Sequence, residues 1–233
     1  LGHSFPTRRS SDLLLGLASP GGAGRNKTLG QKEFDDLEIV IPSYKEQKKI
    51  SSIFSLIDYK ILLQYKKVDE LKEYKKGIMQ KIFNKELRFK NDEKIDYPDW
   101  EDKVLGDIIV FEAKSKYPAS FKKTEGPFKF ALSSTSSEKW YCDEYILDKE
   151  TIIINDGGEA YFRYMSGKYA YSDHCIAVST KECTQYLYYY LDFNKDIIDK
   201  IGFVGSGIRN IDRQYLKKFK VSLPSLYEQE KIA

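Results

Sequence analysis

A nine-residue segment occurs twice in this chain and fixes its unit of architecture. Pro42-Ser43-Tyr44-Lys45-Glu46-Gln47-Lys48-Lys49-Ile50 returns as Pro224-Ser225-Leu226-Tyr227-Glu228-Gln229-Glu230-Lys231-Ile232, identical at six of nine positions at an offset of 182 residues. Upstream the pattern holds: Phe34, Leu37, Ile39 and Ile41 align with Leu216, Phe219, Val221 and Leu223, and Gly22-Ala23-Gly24 faces Gly205-Ser206-Gly207 with one residue of slippage. A period of this length is too long for a solenoid repeat. It predicts a module of one globular domain plus one long helix, used twice. The chain begins near the end of one copy and stops just inside the next, so a fragment is expected.

Residues 1–13 are set apart from that pattern. Ser4 to Leu13 looks like the translation of a sequencing adapter rather than of a gene, and it lacks the apolar core of a signal peptide. Without Arg8, Arg9 and Asp12 the formal charge falls from +3 to +2, and His174 is left as the one histidine to interpret. The three cysteines, Cys142, Cys175 and Cys183, have neither CxxC spacing nor an even count, which fits a reducing compartment and argues against zinc. No apolar run approaches a membrane span. The cytoplasm is the expected location.

Charge is nearly balanced overall but unevenly placed. Residues 45–90 carry thirteen Lys or Arg and six acids, a surplus of +7, while the rest sums to –4. A basic helix suits a polyanion, and a solvated lysine-rich face explains it equally well. The segment is a helix by pattern: from Glu46 to about Lys85 there is no proline, and Gly77 is the one glycine. Ile50, Phe54, Ile57, Ile61, Val68, Leu71, Ile78 and Ile82 recur at steps of four and three, with Gln64 and Lys75 as polar members of the same series. Such a heptad seam predicts a coiled coil. Its expected partner is a second helix starting at Glu228, antiparallel to the first, with another chain as the alternative.

After Arg88 the pattern changes. Asn91 to Trp100 is a polar linker punctuated by Tyr97-Pro98-Asp99-Trp100. Strand-like runs follow at Val104–Phe111, Phe128–Leu132, Thr151–Asn155, Ala160–Tyr164 and Cys175–Ser179, with Asn155-Asp156-Gly157-Gly158 as a turn between two of them. Thr184–Ile201 reads as a helix closed by Gly202 at its C-cap, and a short helix from Asp212 leads into a strand at Phe219–Leu223. The expected fold class is α+β, a strand-rich domain plus a long coiled-coil-forming helix.

These residues resemble the specificity subunit of type I restriction–modification systems. Gly205-Ser206-Gly207 through Ile232 carries the signature of a glycine turn, a short helix, an apolar strand and Pro-Ser-x-x-Glu-Gln-x-Lys-Ile opening a long helix; Gly22 through Ile50 carries it again. Tyr74 to Phe83 looks like the end of the family's conserved helix, and Tyr97-Pro98-Asp99-Trp100 with Leu105-Gly106-Asp107 like the opening of a target recognition domain. The resemblance covers nearly all of residues 14–233. It implies the tail of a first recognition domain at 14–44, a central conserved helix at 45–90, a second target recognition domain at 91–223 and the start of a second conserved helix at 224–233. It further implies double-stranded DNA as ligand, one half of a bipartite target read by this domain, and paired helices that dock methyltransferase subunits and, through them, restriction subunits. The chain itself is then not an enzyme and binds no cofactor. S-adenosylmethionine, ATP and Mg are expected on partner subunits.

The residues agree with a non-catalytic reading. There is no Asn/Asp-Pro-Pro-Tyr/Phe run of an amino-methyltransferase and no phosphate-binding glycine loop followed by Lys-Ser/Thr. His174 reads as a packing or hydrogen-bonding residue, and Asp156 and Glu159 as turn residues rather than metal ligands. Phosphate contacts call for Lys and Arg, base edges for Arg, Asn, Ser and their like on projecting loops. Three loops offer them: Ser133, Ser134, Thr135 and Lys139 in the first; Tyr161 and Arg163 in the second; Ser206, Gly207, Arg209, Asn210 and Arg213 in the third. The alternatives are a coiled-coil adaptor that binds protein, and a piece of a fused restriction–methyltransferase enzyme.

Overall fold

In a computed structural model the described residues are 30–38, 40–136 and 138–233. The expectations for residues 1–13, for Gly22-Ala23-Gly24 and for Ile39 lie outside them. The chain divides at Lys67/Val68 into two compact units.

The first unit holds a short helix α1 (Gln31–Asp35) and the beginning of the long helix α2 (Tyr44–Phe83). Helix α2 runs unbroken for 40 residues, about 60 Å at the α-helical rise. Ser43 caps it: its Oγ accepts from the Glu46 N–H at 3.4 Å. At the far end Lys85 adopts φ 64°, the Glu86 N–H reaches Lys81 O and the Lys85 N–H reaches Ile82 O. That is a Schellman ending with lysine where glycine is usual. Along the seam Phe54, Ile57, Ile61, Gln64, Val68 and Leu71 are exposed and Ile50 is half-buried. Ile78 is half-buried and Ile82 and Phe83 are buried.

The second unit is built around two four-stranded sheets. In chain order it contains β1 (Glu101–Val104), α3 (Leu105–Ile108), β2 (Ile109–Phe111), β3 (Phe128–Ala131), β4 (Trp140–Cys142), β5 (Leu147–Asp148), β6 (Thr151–Asn155), β7 (Phe162–Met165), β8 (Lys168–Tyr171), β9 (Cys175–Thr180), α4 (Thr184–Phe193), α5 (Lys195–Ile197), β10 (Phe203–Val204), β11 (Asn210–Ile211), α6 (Arg213–Lys218), β12 (Lys220–Leu223) and α7 (Leu226–Ile232). One sheet is antiparallel in the order β2-β9-β6-β7, and the other has the order β4-β3-β8-β5 with β3 and β8 parallel. β1 pairs with β12, and β10 with β11.

The central strand β6 is buried along its whole length, and its period of two divides the core. Ile152 and Ile154 pack with Tyr186, Leu187 and Leu191 of α4. Ile153 points the other way, into a second cluster with Ala131, Tyr169 and Tyr171 of the facing sheet. The β2-β9-β6-β7 sheet is thus a middle layer between α4 and the second sheet. Helix α2 is anchored to α4 by its last turn, where the Phe83 ring lies 5.9, 5.3 and 5.1 Å from Tyr186, Tyr190 and Phe193. Lys75, the second polar member of the seam, sits over the Tyr189 ring at 4.6 Å.

Mixed helix and strand composition matches the sequence reading, with several local differences. Val104–Phe111 is not one strand, because α3 interrupts it: Leu105 is fully buried with its N–H bonded to Phe219 O. A Cβ on Gly106 would stand 3.0 Å from Lys217 O, so the interruption presses α3 against α6. The helix Thr184–Ile201 breaks at Asn194, whose side chain donates back to Tyr190 O at 2.8 Å, and ends in a π turn at Ile198–Gly202. Gly202 is no left-handed cap; its missing side chain makes room for the Tyr215 ring, which a Cβ would meet at 2.6 Å. β4, β5, β8, β10 and β11 were not anticipated.

Candidate nucleic-acid interface

Three segments meet at one end of the paired sheets. The turn after β6 is held by Gly158, whose φ is 87° and whose N–H donates to Arg209 O at 2.8 Å. The Ile211 N–H donates to Asp156 O at 3.0 Å, and the Asp156 N–H to His174 O at 3.0 Å. A Cβ on Gly157 would meet Asn210 Oδ1 at 2.9 Å, so glycine permits this approach. Arg213 pairs with Asp156 at 3.8 Å across the same junction. Asp156 is therefore a turn and pairing residue, and no group of three or more potential metal-binding side chains occurs among the described residues.

A cleft of about 610 Å3 opens over this junction. It is lined by Ser133, Ser134, Gly157, Gly158, His174, Ile208 and Asn210, together with Lys122 and Trp140. Leu132, Ser134, Glu138 and Trp140 also line a second hollow of about 450 Å3, together with Lys139, Tyr161, Arg163 and Tyr188. Each candidate loop thus contributes to at least one of the two openings.

The individual side chains divide into two groups. Arg163 is turned inward: its guanidinium donates to Leu132 O at 2.6 Å and to Ser134 O, and it stacks on Tyr161 at 4.4 Å. Burial lowers its pKa from the ordinary arginine value. Arg209 is paired with Asp199 through three donor contacts of 3.0 to 3.2 Å. Burial works against the Asp199 carboxylate, but the Ala160 N–H at 2.7 Å and Arg209 together hold its pKa below the usual range. Both arginines brace loops. Thr135, Lys139, Ser206, Gly207, Asn210 and Arg213 are exposed, and Ser133, Ser134 and Tyr161 are half-buried. Ser206 and Gly207 lie in the third loop without lining either hollow.

His174, expected to be a packing or hydrogen-bonding residue, does not pack: its side chain is 75% exposed and lines the cleft. β9 begins at Cys175, so His174 falls in the turn before it. Lys122 and Trp140 went unnoticed as a pair; Lys122 Nζ stands 3.9 Å over the indole face. Only the aromatic and basic composition of residues 116–141 hinted at it. Cys142 and Cys175 are buried, and burial pushes both thiols up, away from nucleophilic character. The rim therefore offers hydroxyl, amide, imidazole and ammonium groups suited to hydrogen bonding with a polar ligand.

Comparison with known proteins gives a consistent picture. The model of the "Type I restriction modification DNA specificity domain" family matches residues 14–73 and 97–233. A putative type I restriction enzyme MjaX specificity subunit from Methanocaldococcus jannaschii is 28% identical over 235 residues, which covers 91% of this chain and 54% of the relative. The type I restriction enzyme MjaVIII specificity subunit of the same organism is 34% identical over 100 residues, 41% of this chain and 23% of its own length. The crystal structure of a type I restriction–modification S subunit from M. genitalium superposes with a TM-score of 0.50 at 18% identity, covering 63% of this chain and 39% of that one. The chain thus spans about half the length, 54%, of the first of these curated relatives. With the family model matched across both the long helix and the two-sheet unit, the chain belongs to the type I restriction–modification DNA specificity family.

Proposed function

We propose that residues 91–223 form a target recognition domain that reads one half of a bipartite site in double-stranded DNA. The single observation that carries this reading is the cleft where Ser133, Ser134, His174 and Asn210 gather from three separate loops beside Lys122 and Trp140. The amide, hydroxyl and imidazole groups suit base edges, and Lys122, Lys139 and Arg213 suit phosphates. Arg163 and Arg209 hold the reading loops in shape. In this reading residues 14–44 end a first recognition domain, 45–90 are the central conserved helix, and 224–233 begin a second one.

The helices would pair as a coiled coil and dock methyltransferase subunits, with restriction subunits joining through them. Chemistry would lie on those partners, with S-adenosylmethionine for methylation and ATP with Mg for cleavage, and this chain would remain non-catalytic. The test is a fluorescence-anisotropy titration of double-stranded DNA on the chain assembled with its methyltransferase, repeated at several salt concentrations. A steep salt dependence that Lys122→Ala and Asn210→Ala weaken supports the reading. Binding without salt dependence, or unchanged by either substitution, favours a protein-binding adaptor instead.

A further inference from the structure

Among the described residues that line the two hollows, Glu138 is the one carboxylate, and it lines both. It lies between β3 and β4, two residues before Trp140, and its side chain is exposed. The backbone that presents it is held in steps. Arg163 donates to Leu132 O and Ser134 O, the Ser136 N–H donates to Ser134 Oγ at 3.0 Å, and the Glu138 N–H donates to Ser136 Oγ at 3.1 Å. The nearby cations are engaged with other groups: Lys122 lies over the Trp140 ring, and Arg163 holds the loop carbonyls. None of the ion pairs formed among the described residues includes Glu138.

A bare carboxylate on a surface that meets DNA is repelled by the phosphates whatever the sequence. An ionised carboxylate only accepts hydrogen bonds, so what attracts it on a duplex is a donor on a base edge. We infer that Glu138 reads one C·G pair of the half-site, accepting from the cytosine N4 amino group in the major groove. The inference rests on the cleft being the DNA-reading surface proposed above, and it adds which base pair one of its residues selects.

The choice of pair follows from the pattern of donors and acceptors. Guanine and thymine present only acceptors in the major groove, and these repel a carboxylate. Adenine offers its N6 amino group, but the N7 acceptor beside it repels the second carboxylate oxygen. Cytosine offers N4 with no acceptor on its own edge. In the minor groove the one base donor is guanine N2, which belongs to the same pair. A C·G pair is therefore favoured in either groove. Because the phosphates oppose the contact at every site, Glu138 contributes discrimination more than affinity, by attraction to one pair and repulsion from the rest.

The test uses the full-length chain assembled with its methyltransferase partner. The probes are a duplex carrying the motif mapped by methylation sequencing, duplexes altered at one pair of the half-site at a time, and a motif-free duplex. Anisotropy titrations compare wild type, Glu138→Ala, Glu138→Gln and Asn210→Ala. With Glu138→Ala, discrimination is expected to fall about tenfold at a single C·G pair and to stay as it was at the other pairs. Motif-free DNA is then bound at least as tightly as by wild type, since a negative charge has gone. Glu138→Gln moves the preference at that pair toward A·T, because an amide can pair with adenine N6 and N7 together. A half-site without a C·G pair overturns the inference. So does unchanged discrimination in Glu138→Ala when Asn210→Ala relaxes the half-site, a result that leaves the cleft reading standing. Equal loss of motif and motif-free binding in Glu138→Ala also overturns it, since that marks a support for the loop. If neither Glu138→Ala nor Asn210→Ala alters recognition, the cleft reading fails and the inference falls with it.

Discussion

Arg88 and Glu228 lie 140 positions apart, yet Arg88 Nε and Nη2 grip the Glu228 carboxylate at 3.2 and 2.9 Å, with the Glu228 side chain fully buried. The pair joins the segment leaving the long helix to the helix that follows the second sheet unit. Arg88 also donates to the carbonyls of Tyr97 and Pro98 at 3.1 and 2.6 Å, which fixes the linker before Trp100.

Removing one member leaves the other charge buried. Arg88→Ala is expected to lower stability by about 3 kcal/mol, and Arg88→Lys to recover little of it because a lysine has no planar fork. Urea unfolding followed by tryptophan fluorescence measures both. A loss under about 0.5 kcal/mol, the range of ordinary surface substitutions, contradicts the buried-pair account.

Phe83 is the anchor between the long helix and α4, packed among three aromatic rings. Phe83→Ala should cost about 3 kcal/mol and raise amide exchange in the last turns of α2. Tyr65→Ala, at an exposed position of the same helix, should change stability by no more than about 0.5 kcal/mol. Hydrogen exchange with denaturant melts distinguishes the two.

Arg163 braces the loop between β3 and β4 through Leu132 O and Ser134 O. Arg163→Ala leaves those carbonyls short of a donor and is expected to cost about 1–3 kcal/mol of stability. Its effect on DNA affinity should be accompanied by faster proteolysis within residues 132–140. Lost affinity with an unchanged digestion pattern would instead make Arg163 a direct contact.

The Asp199–Arg209 link should be sensitive to acid. The Asp199 pKa is depressed in the folded chain, since the Ala160 N–H and Arg209 outweigh burial. A depressed carboxylate contributes stability that is complete above the unfolded pKa, about 3.9. That contribution is lost as pH falls through the lower folded value. The stability difference between the wild type and Asp199→Asn should therefore narrow below about pH 4. A difference that stays constant down to pH 2 would show that the ion pair contributes nothing.

Legibility in the sequence followed the range of the forces involved. Helix α2 was readable because its signals are local: no proline, a single glycine and a heptad stripe. β6 announced itself as Thr-Ile-Ile-Ile-Asn, and the following Asp-Gly-Gly gave the turn. β8 was not readable, since Lys168–Tyr171 becomes a strand by pairing in parallel with β3, a contact 40 residues away in sequence. α3 was hidden for the same reason, because Leu105 and Gly106 are held by α6 and Phe219. At the candidate site the three loops were visible as polar segments, but the roles within them were not. Charge gave no sign that Arg163 and Arg209 turn inward, or that His174 faces out.

Recognition of a DNA half-site through the cleft is the central claim, and methylome sequencing tests it most directly. Cells would express the methyltransferase partner with the full-length gene, either intact or with Trp140→Ala and Asn210→Ala in this domain. The account predicts a bipartite methylated motif that requires the gene, with one half lost or relaxed by the cleft substitutions and the other half kept. A motif identical in both strains, from variant protein shown to be folded and assembled, would contradict it.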